Sequence, residues 1–255
     1  MRTAICAART LAFVILLAQA GVVSAAEIKV LSPAGFRPVL NELGPQFERS
    51  SGHKLVIAYG SAAAMKRQVE GGEAFDLAVL TTIFMDDVDK QGKIAAGTRT
   101  DVARSAMGVV IRAGAAKPDI GSVDALKRTL LAAKSVTYSP EGTTGIHLAR
   151  VLDRLGIADE LKAKIKPAET PDAAIRAVAS GEAELGFGVT SLILSTPGAE
   201  LLGQLPAELQ DYVVYAAAIG PAAKEREAAK ALLAFLKSES VAQVIKAKGM
   251  EPLGR

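Results

Sequence analysis

Three short segments of this chain combine glycine, hydroxyls and other small residues in the manner of anion-holding turns. They are Ser32-Pro33-Ala34-Gly35-Phe36-Arg37-Pro38, Tyr59-Gly60-Ser61-Ala62-Ala63-Ala64 and Ser139-Pro140-Glu141-Gly142-Thr143-Thr144-Gly145. Small side chains let backbone N–H groups and hydroxyls approach a ligand closely. A helix N-terminus following such a turn adds unpaired donors and partial positive charge. Cations accompany the turns: Arg37 in the first, Lys66 and Arg67 after the second, with Tyr59 opening the second. Such cations suit carboxylates, and arginine can grip one bidentately. His147, one turn into the segment after Thr143-Thr144-Gly145, offers a different chemistry, because imidazole moves protons near neutral pH. If it faces a cleft, Glu141 and Tyr138 would be its companions. His53, following Ser51-Gly52, reads as an exposed turn residue.

Other chemistries find little support. The 255 residues include 30 basic and 27 acidic side chains, 4% aromatics and no Trp, which argues against a nucleic-acid partner. Two histidines and one cysteine supply no metal site and no intrachain disulfide, and no cofactor is expected. Gly142-Thr143-Thr144-Gly145 lacks the lysine and spacing of a phosphate-binding loop, and no Gly-x-Ser-x-Gly elbow occurs.

The elements that must position these turns alternate. Ile28–Leu31, Lys54–Tyr59 and Asp76–Leu80 read as strands, each followed by an amphipathic segment; the first carries Val39, Leu40, Leu43 and Phe47 on one face. This order implies a parallel sheet flanked by helices, with ligands held beyond the carboxyl ends of the strands. Met107–Ile111 begins a crossover into a second block, with helices near 123–133, 144–155 and 173–180 and strands at 135–138 and 184–189. Tyr212–Ile219 would carry the chain back to closing helices at 222–237 and 241–248. The expected architecture is α/β with two lobes joined by two crossing strands, residues 27–104 plus 218–255 forming one lobe and 105–217 the other.

Residues 1–26 read as a cleavable secretory leader: Arg2 and Arg9, an apolar run from Leu11 to Ala18, then small residues at Ser24, Ala25 and Ala26. Gln19 and Gly21 interrupt the run, and a membrane span needs roughly 20 apolar residues, so no stable membrane insertion is expected. Cleavage would remove Cys6, Arg2 and Arg9, leaving a cysteine-free, near-neutral mature chain in the periplasm. Its attraction for anions must then be local.

Over nearly the whole mature chain the sequence resembles the periplasmic molybdate-binding proteins, the solute-binding components of ABC importers. The most specific stretch runs from Tyr59-Gly60-Ser61 through Gln68-Val69-Glu70-Gly71-Gly72 to Asp76-Leu77, similar to the family's serine-rich turn, its Arg-Gln-Ile/Val-Glu-x-Gly and its Ala-Asp. Pro140-Glu141, Gly145-Ile146, Leu155-Gly156, Ala168-Glu169 and Leu185-Gly186 continue it. The resemblance implies a two-lobed periplasmic-binding-protein-like fold of type II closing on an oxyanion, with an ABC permease as partner. The apolar helical faces are accounted for by the core, so a monomer is expected.

The ligand positions depart from the family pattern. Its first-turn serine falls at Gly35, Ser61 is followed by Ala62 and Ala63, and a backbone donor falls at Pro171, which has no N–H. The family's ligand tyrosine aligns with Val189, while Thr143 and Thr144 remain compatible with donation. Each hydrogen bond to a charged acceptor is worth about 1.5–3 kcal/mol, so these losses disfavour molybdate or tungstate. The expected ligand is a small organic anion such as a di- or tricarboxylate, held by Gly35, Phe36, Arg37, Tyr59, Ser61, Ala62, Lys66, Thr81, Thr143, Thr144 and Val189. The alternative is a cofactor-free isomerase moving a proton on a tricarboxylate through His147, Glu141 and Tyr138, by analogy with an aconitate isomerase built on this type of scaffold.

Overall fold

Residues 25–253 are described by a computed structural model. The expected leader lies outside them, save for its last two positions.

The first block follows the alternation in the sequence. Strand β1 (Glu27–Pro33) leads through a short 3-10 turn into helix α1 (Arg37–Ser51); β2 (Lys54–Gly60), α2 (Ala62–Glu70), β3 (Leu77–Thr81) and α3 (Thr82–Lys90) follow. Pro38 sits in the first turn of α1, where its missing N–H costs nothing. The helix buries Val39, Leu40, Leu43 and Phe47 and stops at Gly52, whose φ of 75° suits glycine. β1 pairs in parallel with both β2 and β3. Every residue of β3 is buried, as a strand covered on both faces should be.

Strand β4 (Thr100–Arg112) then does two jobs. Its first half, to Ala106, pairs antiparallel with β9 (Tyr212–Ile219), and its second half, from Met107, pairs with β7 (Leu185–Val189) and β8 (Ala199–Gln204). The second lobe is completed by α4 (Val123–Ala132), β5 (Val136–Tyr138), α5 (Thr143–Leu155), α6 (Ala158–Leu161), β6 (Ile165–Pro167), α7 (Pro171–Ser180) and α8 (Thr190–Leu194). After β9 the chain closes with α9 (Arg226–Leu236), α10 (Glu239–Ala247) and β10 (Glu251–Pro252) against β4. The strand order is β2-β1-β3-β9-β4-β7-β5-β6.

The first sheet is therefore mixed: its parallel part ends at β3, and β9 and β4 enter antiparallel. The whole of β9, from Tyr212, pairs with β3 and β4, so the return to the first sheet precedes the 217/218 boundary read from the sequence. Crossover strand β4 begins at Thr100, earlier than the apolar run Met107–Ile111, because its first half mixes polar residues with buried ones. One core cluster runs through both lobes from Val39 to Phe187; a second, with Met65, Leu80, Met85 and Ala216, lies on the other face of the first sheet. No helix among the described residues is long and apolar enough to cross a membrane.

The turn into α5 is closely packed against backbone. A Cβ on Gly145 would lie 2.5 Å from the carbonyl oxygen of Pro140 and 2.7 Å from that of Ser139, both fixed backbone atoms. Replacing Gly145 with alanine is expected to destabilise the protein by about 1–3 kcal/mol, measured as a lowered urea midpoint; an unchanged midpoint would show that this turn relaxes freely.

Candidate functional site

The carboxyl ends of the strands in both lobes point their turns at one narrow cleft. The first lobe contributes Ala34 and Gly35 after β1, Ala62 at the start of α2 and Thr81 at the end of β3. The second contributes Gly142, Thr143 and Thr144 at the start of α5, Pro171 and Val189. Val213 and Tyr215 of β9 complete the wall. Most of this lining is carbon, with hydroxyls at a few points.

Polar contacts bridge the two lobes around the cleft. The hydroxyls of Thr81 and Thr143 lie 2.7 Å apart, and Ser191 Oγ donates to the Gly35 carbonyl at 2.8 Å. Arg37 reaches both oxygens of Asp172, at 2.7 and 3.0 Å, in the fork geometry that makes such pairs strong. Arg67 donates to Glu141 at 2.9 Å. The lobes are thus in a closed arrangement.

Helix ends set the local field. Ser61 caps α2 by accepting from Ala64 N at 3.1 Å, and Thr170 caps α7 in the same way. Helix α5 starts at Gly142 with no side-chain cap, so the N–H groups of its first turn remain available beside Thr143 and Thr144. That end can attract an anion without any formal positive charge in the cleft.

The structure brings together six of the ligand positions expected from sequence: Gly35, Ala62, Thr81, Thr143, Thr144 and Val189 line the cleft. Ser61 is buried beside it, but its hydroxyl serves the helix cap. Phe36 does not reach the cleft; it is a core residue, with its ring 5.3 Å from that of Tyr215. Arg37 lies at the flank, its guanidinium 4.9 Å from the centre of the Tyr59 ring, and Tyr59 Oη donates to Asn41. Desolvation pushes the Tyr59 phenol up to about 12, against the opposing pull of Arg37, so it stays protonated. Lys66 pairs with Asp87 at 3.0 Å and Glu70 at 3.4 Å and does not line the cleft.

The three residues expected for proton transfer are dispersed. Glu141 is exposed and paired with Arg67, Tyr138 ends β5 half-buried, and His147 is absent from the cleft lining. His147 is only 4% exposed, and its Nδ1 lies 3.3 Å from Asp211 Oδ2 but outside hydrogen-bonding geometry. His53 departs from the exposed-turn expectation: it is half-buried, near Phe47, and accepts from Ala26 N at 3.2 Å.

Sequence reasoning missed Tyr215. It sits directly opposite Thr81 in the β3–β9 pairing, is 2% exposed, and turns its hydroxyl to the cleft. Burial raises its pKa, so the phenol is a neutral donor. The available signal was the alternation of β9, which places Val213, Tyr215, Ala217 and Ile219 on one face, with Tyr215 the one polar tip among them.

A cleft between two α/β lobes, lined largely from the carboxyl ends of their strands and set at a strand the lobes share, is the architecture of periplasmic solute-binding proteins. The chain belongs to the family described as bacterial extracellular solute-binding protein, which it matches over residues 28–251. It is 33% identical over 234 residues to an aconitate isomerase of Pseudomonas sp, covering 89% of this chain and 88% of that one. It is 29% identical over 234 residues to the molybdate-binding protein ModA of Azotobacter vinelandii, covering 88% and 90% respectively. The solved structure of the Azotobacter vinelandii periplasmic molybdate-binding protein superposes with a TM-score of 0.76 at 25% identity, over 89% of this chain and 100% of that one. Within this molybdate-binding-protein-like group the chain is divergent, with Gly35 and Val189 lining its cleft.

His147 supplies a pH dependence whose sign follows from its surroundings. Desolvation lowers its pKa below the ordinary 6.5, Arg150 adds to the lowering, and Asp211 opposes it. The folded protein therefore holds the neutral ring, and the unfolded chain takes up a proton first as pH falls through that ordinary value. Stability contributed by this site is complete above about pH 7 and declines as the solution is acidified through the interval below the unfolded pKa. His147→Gln is expected to flatten that limb of the stability–pH curve, followed by urea unfolding from about pH 5 to 8. Parallel curves for the two proteins would refute the assignment.

Proposed function

We propose that the protein is an exported, periplasmic binding protein that closes its lobes around a small organic carboxylate and presents it, as a monomer, to an ABC permease. One observation carries this reading: the cleft sets a few neutral donors against carbon walls. Thr81, Thr143, Tyr215 and the open N-terminus of α5 offer hydrogen bonds, whereas Ala34, Ala62, Val189 and Val213 offer none from their side chains. An inorganic oxyanion presents acceptor oxygens in every direction, and those facing the apolar wall would be desolvated without partners, at about 1–3 kcal/mol each or more for a charged group. An organic acid has a carbon skeleton to lay there and carboxylates to turn to the donors. Arg37 is paired with Asp172 at the flank and does not enter the cleft, so the attraction for an anion comes from the neutral donors. Neither a metal nor a cofactor enters this reading.

The isomerase reading is favoured by the 33% identity to an aconitate isomerase. It needs a base to take a proton from one carbon and an acid to return one to another. Among the described lining residues the sole ionisable side chain is Tyr215, which burial keeps protonated and so fits only the acid. A base would have to come from outside the lining, with Glu141 and His147 as candidates.

Thermal shift and titration calorimetry with cis-aconitate, tricarballylate, sulfate and molybdate test the proposal. A tricarboxylate at 100 times its Kd should add about 2.7 kcal/mol of stability, or a Tm rise of roughly 5–10 °C for a chain of this size. Tight molybdate binding with no carboxylate response would overturn it. Conversion of cis- to trans-aconitate by purified protein, lost in Glu141→Gln or His147→Gln, would replace it with the isomerase.

A further inference from the structure

We propose that Tyr215 determines the ligand specificity of the cleft: its hydroxyl is the donor to the ligand's carboxylate and occupies the space that a side chain at position 35 would need. The inference deepens the carboxylate-binding reading and rests on it for the identity of the acceptor.

The geometry at the floor of the cleft is closely fitted. A Cβ built on Gly35 would lie 2.2 Å from Tyr215 Oη, 3.3 Å from its Cζ and 3.0 Å from Val189 Cγ2. Position 35 can therefore carry no side chain while the phenol keeps this place. The ring cannot easily retreat, since Phe36 packs beside it with a tilt of 36° and its strand is paired on both sides, with Thr81 and with Ala103. Ser191 Oγ holds the Gly35 carbonyl at 2.8 Å and fixes the backbone from the other lobe. Gly35, Val189 and Tyr215 form one steric unit drawn from the ends of β1 and β7 and the middle of β9.

The hydroxyl itself is poised for a ligand. Among the described residues Tyr215 Oη makes no hydrogen bond, although the residue is almost wholly buried and lines the cleft. The hydroxyl is not sealed in the core but opens onto a largely apolar cleft, where a charged acceptor would give it a stronger partner than water. Thr81, its cross-strand partner, shares a hydrogen bond with Thr143, which leaves one hydrogen between those two hydroxyls for a ligand. Tyr215 is thus a first-lobe donor whose hydrogen no neighbouring side chain claims, across the cleft from the uncapped first turn of α5. Losses of hydroxyl at positions 35 and 189 are then compensated by one donor arriving from β9.

Two independent measurements test this. The first needs no ligand: Gly35→Ala should lower the Tm by several degrees, and adding Tyr215→Phe should recover most of that loss. A double variant that melts where additive losses place it would overturn the steric coupling. The second reads binding. With cis-aconitate or tricarballylate, Tyr215→Phe should raise Kd about 10- to 100-fold, the value of one hydrogen bond to a charged acceptor. The chain has four Tyr and no Trp, so ligand-induced change in intrinsic emission reports tyrosine alone and should fall sharply in the same variant. Unchanged affinity and unchanged emission response would overturn the donor role. If the wild-type protein binds molybdate and no carboxylate, the functional reading fails by itself, and Tyr215 is judged by whether its loss weakens molybdate. A wild-type chain that binds neither class overturns both.

Discussion

One strand holds the two halves of this protein in register. Because β4 belongs to the first sheet up to Ala106 and to the second from Met107, the lobes share continuous backbone hydrogen bonding at their junction. A flexible linker would leave the lobes free to drift; a shared strand makes their separation a matter of twist and bend about a paired ribbon. The convergence of strand ends on one cleft follows from that constraint. So does the position of Tyr215, since β9 runs antiparallel beside the first half of β4 and carries its ring to the junction.

Electrostatics in the cleft are local. The formal cations nearest to it are neutralised by carboxylates of the opposite lobe, Arg37 by Asp172 and Arg67 by Glu141. What remains for a ligand are dipoles: hydroxyls and the uncapped first turn of α5. Such groups favour an anion through short, directed contacts in a low-dielectric wall and contribute little at a distance. On the carboxylate reading, selection would depend on shape and donor placement more than on charge, and the methyl-sized exclusion at Gly35 would count toward it.

Much of this was legible in the sequence, and the exceptions have physical causes. The α1 face was readable because four apolar residues repeat at helical spacing, and the three turns because small residues and hydroxyls cluster between strand and helix. Strands β6 and β8 went unread: the first has three residues, too few for a period, and the second is half-buried along most of its length. Lys66 looked like a ligand cation from its distance to Ser61; its direction is set by Asp87 on the neighbouring helix, which no local pattern reveals. Asp172 lies 135 residues from Arg37 and became a partner only through lobe closure. Tyr215 was concealed by its strand, whose apolar character reads as plain core.

The two ion pairs that cross between lobes differ in how much water reaches them. The Arg37–Asp172 side chains are 31% and 14% exposed, against 60% and 59% for Arg67–Glu141. Dissolved salt screens the second pair far more than the first. In dilute medium both clasps hold the lobes together, whereas in brine one slackens and the other persists. Ionic strength would then tune how readily the lobes part without altering the cleft itself.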